Sequence, residues 1–167
     1  IAMISLSGFG YEDTLENPSK AFSKTWKSKS FINGPAVKEF ETQFAKYCEA
    51  DSCVALSSCT SALHLSLLAL GVGPGDEVIT VPYTWVSTVE VIKQVGATPV
   101  FVDIGLNDMC IDPNKVAEKI SKKTKAIIGV DLYGNVCDID ELKKFNVPVI
   151  QDSAQSTGAY YKSKRVG

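Results

Sequence analysis

The sequence predicts an α/β fold, a mostly parallel sheet flanked by helices, and three observations carry that reading. From Gly34 onward, short apolar runs alternate with segments of helical periodicity. The runs are rich in β-branched residues, as strands covered on both faces by helices are. Polar and aromatic residues cluster just after several of them, at the carboxyl ends of strands, where open sheets of this class bind ligands.

The elements follow in order. In "GPAVKEFETQFAKYC", Val37, Phe40, Phe44, Tyr47 and Cys48 form a helical stripe, and Pro35 suits a first helical turn. "CVALS" reads as a strand, followed by "TSALHLSLLALG", a largely buried helix that starts at Thr60 or Ser61 and closes at Gly71. "EVITVP" is a strand, "WVSTVEVIKQVG" a helix ending at Gly96, and "TPVFVD" a strand. "DPNKVAEKISKK" is an amphipathic helix capped by Asp112. "KAIIGVDLYG" is a strand, "DIDELKKF" a short helix, "VPVIQD" the last long strand, and Tyr160, Tyr161 and Lys162 suit one arm of a hairpin. Residues 1–33 are less regular and are expected to form a lead-in that wraps the surface, before a domain spanning 34–167.

Composition sets limits. With 167 residues, 45% apolar and 22% charged, the chain can bury one real core. A net charge of −2, with basic residues scattered, gives no reason to expect nucleic acid. No apolar run approaches the roughly 20 residues of a membrane span. The opening "IAMISLSGFGYED" lacks the basic and long apolar regions of a secretory signal. The five cysteines are odd in number, form no CxxC pair and are accompanied by one histidine, so a zinc site is poorly supplied. Buried free thiols in a reducing cytoplasm are the simplest reading, and His64 reads as a core histidine.

Three stretches bear on chemistry. In "LSSCTSALHLSLL" a strand ends in small polar residues as a helix begins. Unpaired first-turn amides at the positive end of the dipole could hold a phosphate, with Ser57, Ser58, Thr60 and Ser61 adding hydroxyls. An ordinary Ser/Thr cap is the competing reading, and on this stretch alone the simpler one. Trp85 stands where a strand gives way to a helix and could stack on a flat heteroaromatic ring, although a lone Trp more often packs a core. Asp152 follows the apolar run Val147–Ile150. A carboxylate there needs a partner, either a protonated ring nitrogen or the backbone amides of the next turn. "GVGPG" follows a helix and precedes a strand, the wrong order for a dinucleotide fingerprint, so it reads as a helix stop and turn.

Taken together, "NGPAVKEFETQFAKY", "SSCTSALHLSLLALGVGPGDEVITVPYTWVSTVEVI", "GATPVFVDI", "KTKAIIGVDLYGNVCDID" and "IQDSAQSTGAYYKSKRVG" closely resemble, in order, the sugar aminotransferases of the DegT/DnrJ/StrS family. These are pyridoxal 5'-phosphate (PLP) enzymes of the aspartate-aminotransferase-like fold (type I). The resemblance implies that 34–167 is part of the large PLP-binding domain. It places Thr60 and Ser61 at the cofactor phosphate, Trp85 on the pyridine ring, Asp152 at the ring nitrogen and Gln155 near the phenolic oxygen. It further implies transfer of an amino group, from glutamate, to a keto sugar linked to a nucleotide, by a cytoplasmic homodimer.

Cys59 and Gln151 depart from the pattern, standing where many relatives have glycine and glutamate. By resemblance the Schiff-base lysine lies downstream of the position of Gly167. Lys162 and Lys164 are too close to Asp152 to serve, so no catalytic residue is assigned within the chain, and the chain alone is expected not to turn over. A sugar dehydratase of the same family, in which histidine replaces that lysine, and a non-catalytic α/β binding module are the alternatives.

Overall fold

The computed structural model describes residues 18–167, in two compact units that divide after Ala55. The opening stretch and most of the expected lead-in fall outside the described residues. The first unit contributes α1 (Pro18–Ser28) and α2 (Pro35–Tyr47). The first of these is a helix where less regular structure is expected. Pro18 suits the first turn of a helix, and Phe22 and Trp26, one turn apart, stack at 5.8 Å. The stripe foreseen on α2 exists, with Phe40 against Phe44 at 5.4 Å, but no residue of α2 is buried.

The second unit is the α/β body. Its helices are α3 (Cys59–Ala69), α4 (Ser87–Gln94), α5 (Pro113–Lys119) and α6 (Ile139–Lys143). Its strands are β1 (Glu77–Thr80), β2 (Thr98–Phe101), β3 (Thr124–Val130) and β4 (Val149–Asp152), with a terminal hairpin of β5 (Tyr160–Tyr161) and β6 (Lys164–Arg165). The four longer strands pair in parallel in the order β2-β1-β3-β4. The chain therefore winds outward from β1 in one direction and from β3 in the other. In open sheets of this class, such a change of direction, here between β1 and β3, marks where ligands bind, beyond the carboxyl ends of the strands.

Side-chain alternation along the strands divides the core in two. Val78, Ala126 and Ile128 point to the face packed by Leu63 and Leu67 of α3 and Val91 and Ile92 of α4. Ile79 and Ile127 point to the other face, against Val116 of α5 and Leu142 of α6. Both layers are close-packed, so truncating Leu67 or Leu142 would cost about 2–5 kcal/mol. Gly129 has a packing reason: a Cβ there would lie 3.1 Å from Cys137 Sγ and 3.4 Å from Leu142 Cδ1. "GVGPG" is the expected stop, with Gly71 left-handed at φ +68° after α3.

Three expectations change. Residues Cys53–Ser57 form no strand, because a strand needs a neighbouring ladder and none of the described strands pairs with them; Ala55 N donates to Glu41 Oε1 at 3.0 Å instead. Helix α3 starts one residue early, at Cys59, because Ser58 is the cap. Only Cys110 and Cys137 are buried among the free thiols, Cys59 is exposed, and His64 is half-buried rather than in the core.

Candidate functional site

The site is assembled at the carboxyl ends of β1, β3 and β4 and at the start of α3. Ser58 adopts extended backbone (φ −162°, ψ 161°), so its Oγ reaches forward and accepts from Ser61 N at 3.1 Å. The Ser61 hydroxyl lies 3.1 Å from that of Ser57 and 3.0 Å from that of Ser58. The sequence reading of a Ser/Thr cap is therefore correct, and the cap also gathers hydroxyls at the positive end of an 11-residue helix. Thr60, half-buried, occupies the first turn beside them.

Asp152 closes β4 and is only 6% exposed. Its Oδ2 accepts from the buried Thr88 Oγ1 at 3.1 Å, and Thr88 in turn lies 3.1 Å from Thr84 Oγ1. Since Thr88 donates to the carboxylate, it can accept from Thr84, giving a short relay from loop to carboxylate. Asp152 Oδ1 accepts from Ala154 N at 3.3 Å and from Cys59 Sγ at 3.4 Å. The Cys59 thiol is pushed up to about 12 by burial first, then by the Asp152 charge and the hydrogen bond to it. Of the two sequence readings of Asp152, the backbone one is realised in part: one amide, that of Ala154, binds it.

Asp131, one residue past β3, contrasts with it. It is fully buried, and its N–H donates to Asp152 O at 2.9 Å. Its carboxylate accepts from Cys137 N at 2.9 Å, Gln151 Nε2 at 2.8 Å and Ser153 Oγ at 2.7 Å. Gln151, noted in the sequence as a departure, is the amide donor that this neighbour requires. Ser156 Oγ donates to Asp131 O at 2.6 Å, tying the turn after β4 to the end of β3. Cys110, Asp131 and Cys137 place possible ligand atoms within 4.8 Å of one another. The Asp131 oxygens are already taken by three donors, and the Cys110 hydrogen bond, then burial, raise the Cys137 thiol, so the cluster is a hydrogen-bonded knot.

Gln155 and Trp85 frame the edge. Tyr133 sits in the left-handed region (φ +57°), and its N–H donates to Gln155 Oε1 at 3.2 Å. That bond fixes which end of the amide is engaged and leaves the NH₂ as the end available to a ligand. Tyr133 OH also lies 3.0 Å from Tyr83 OH, linking the turn after β3 to the turn after β1. The Trp85 indole is 73% exposed at the turn into α4, which rules out the core-packing reading within this unit. The structure therefore brings Asp152 and the start of α3 together through Cys59, joins Gln155 to the Tyr133 turn, and leaves Trp85 open to solvent.

Sequence reasoning missed Thr88, Tyr133 and Asp131 as parts of this edge. Thr88 and Asp131 sit inside a predicted helix and strand, where a polar side chain has no local signature; only the general rule that buried polar groups need partners points to them.

Comparison with known proteins agrees with this architecture. The DegT/DnrJ/EryC1/StrS aminotransferase family matches residues 13–167. A UDP-2-acetamido-2-deoxy-3-oxo-D-glucuronate aminotransferase of Pseudomonas aeruginosa is 45% identical over 139 residues, covering 81% of this chain and 39% of its own length. The aminotransferase from Psychrobacter cryohalolentis superposes with a TM-score of 0.85 at 34% identity, over 95% of this chain and 42% of that one. An E. coli GDP-4-keto-6-deoxy-D-mannose-3-dehydratase with bound hydrated PLP gives a TM-score of 0.84 at 33% identity, over 92% of this chain and 42% of that one. The chain thus spans about two-fifths of the length of the relatives it matches. With the sheet order, the site edge and the match over residues 13–167 in agreement, the chain belongs to the DegT/DnrJ/EryC1/StrS aminotransferase family.

Proposed function

We propose that this chain supplies the ring and phosphate contacts for PLP in an enzyme that transfers an amino group to a keto sugar carried on a nucleotide. The observation that carries the reading is Asp152: a carboxylate 6% exposed at the end of a parallel strand, next to a hydroxyl-rich helix start. Its surroundings fit the cofactor. Oδ2 is held by Thr88, while Oδ1 has only an amide and a thiol, so it can accept a further, charged donor. The first-turn amides of α3, with Ser57, Ser58, Thr60 and Ser61, suit a phosphate dianion. The exposed Trp85 offers a flat apolar face, and the free end of the Gln155 amide offers a donor to a phenolic oxygen.

PLP, when bound, supplies an electron sink that stabilises a carbanion at the amino-bearing carbon. The chain's own residues make that sink effective. Asp152 holds a proton at the ring nitrogen, because ion pairing favours the charged form of that group. Thr88 keeps the carboxylate oriented and Trp85 keeps water from one ring face. Gln155 would donate to the phenolic oxygen through its free amide end. Neither Lys162, bonded to Asp140, nor Lys164, in β6, is assigned a chemical role. The covalent lysine is proposed to belong to the protein beyond Gly167.

Glutamate as amino donor, a homodimer and a cytoplasmic setting belong to the same proposal, supported by the family resemblance. Among the described residues no helix is long and apolar enough to cross a membrane. A sugar dehydration is the second reading, favoured by the E. coli dehydratase likeness; the 45% identity to an aminotransferase weighs against it. Adding PLP to the full-length protein should give visible absorption that glutamate bleaches. Absorption without a glutamate response would favour the dehydratase, and absence of both in folded protein would sink the PLP reading.

A further inference from the structure

The two oxygens of Asp152 have donors of different kinds. Oδ2 faces inward, to a Thr88 hydroxyl that is itself fully buried and backed by Thr84. Oδ1 faces the start of α3, where its side-chain donor is the thiol of Cys59, an exposed residue at the first helical position. A thiol is a weak donor, and at 3.4 Å the contact is long. A charged ring N–H is a far stronger one.

We propose that Cys59 is a displaceable donor, holding Oδ1 of Asp152 until the protonated ring nitrogen of the cofactor takes that position, while Thr88 remains on Oδ2 throughout. The inference rests on the reading of Asp152 as the ring-nitrogen partner. No proton or electron is transferred: one hydrogen bond is exchanged for another, and the thiol turns away.

Two consequences follow for this chain. Residue 59 sets part of the cofactor affinity, because each binding event must break the Cys59–Asp152 contact. While it holds Asp152, the thiol is also kept protonated, pushed up by burial and by the Asp152 charge.

The test has two arms, both on the full-length protein. In the first, pyridoxamine 5'-phosphate, which needs no lysine to bind, is titrated by fluorescence. Cys59→Ala should tighten binding about twofold to threefold, less than the worth of one ordinary hydrogen bond because the thiol donor is weak and its contact long. That gain should vanish in the Asp152→Asn background, which a merely structural role for Cys59 would not produce. Unchanged or weaker binding by Cys59→Ala overturns the proposal. In the second arm, without cofactor, iodoacetamide labelling of the Cys59 peptide is followed by mass spectrometry at pH 8. Asp152→Asn should speed labelling severalfold, by removing the charge that adds to burial in holding the thiol protonated. Unchanged labelling overturns the thiol–carboxylate pair whatever the cofactor does. If labelling responds but wild-type protein binds no pyridoxamine phosphate, the cofactor reading itself fails and displacement falls with it.

Discussion

Two aspartates end neighbouring strands of the same sheet, linked by the Asp131 N–H to Asp152 O bond of 2.9 Å, yet their surroundings differ completely. Asp131 is fully buried, and Gln151, Ser153 and the Cys137 amide satisfy it. Asp152 is 6% exposed and leans on one hydroxyl, one amide and one thiol. The difference lies in how strong and how permanent the donors are. A carboxylate surrounded by strong internal donors is fixed as structure, whereas one with a weak donor on its open side can exchange that donor for a ligand.

That contrast can be broken most severely at Asp131. Asp131→Ala would leave three donors at a buried site without an acceptor, so we expect a loss of about 3–5 kcal/mol in urea unfolding of the full-length protein. Asp152→Ala, by comparison, should cost about 1–2 kcal/mol. Equal losses would erase the distinction. Gln151→Glu comes next. It would set a second carboxylate at the position where the amide now donates at 2.8 Å, costing about 2–3 kcal/mol near pH 8. Because the pair would take up a shared proton, its folded-state pKa would be raised, and the stability deficit should shrink as pH falls. A deficit that grows toward acid would contradict this.

Thr88→Val sharpens the other half. It keeps the shape and removes the inner donor to Asp152, and should cost about 1 kcal/mol while weakening pyridoxamine phosphate binding several-fold. The smallest effect is expected far from both carboxylates, at the terminal hairpin. Tyr161 OH donates to Asp138 Oδ1 at 2.7 Å and holds that carboxyl below its ordinary range. Because the folded-state pKa is depressed, the contribution is present above the unfolded value of 3.8 and is lost as pH falls through the folded one. Tyr161→Phe should therefore cost about 0.5 kcal/mol at pH 7, and the cost should shrink as pH falls below 3.8.

Most of the fold could be read in advance, because the apolar runs of β1 to β4 are bounded by clear stops such as Gly71 and Gly96. Where that reading failed, the missing information was non-local. "CVALS" has the composition of a strand, but a strand exists only when a neighbour pairs with it. Phe22 and Trp26 show a one-turn spacing that a polar, lysine-bearing context obscured. In the site, Asp152 and the Ser58 cap were visible because each follows or begins an element. Thr88 and Asp131 were not, since their roles depend on partners 64 and 22 residues distant in sequence. Cys59 was visible only as an oddity. Its contact with Asp152, 93 residues away, is what gives that oddity a physical meaning.

The most direct measurement is a titration of PLP, followed by absorbance, into full-length wild-type, Asp152→Asn and Asp131→Asn proteins whose urea midpoints are known. The account predicts that Asp152→Asn keeps nearly the wild-type midpoint and loses affinity at least about tenfold. Asp131→Asn should do the reverse, losing midpoint while its folded fraction still binds. Wild-type affinity in folded Asp152→Asn protein would contradict the central claim that Asp152 is the ligand-facing acid of the sheet.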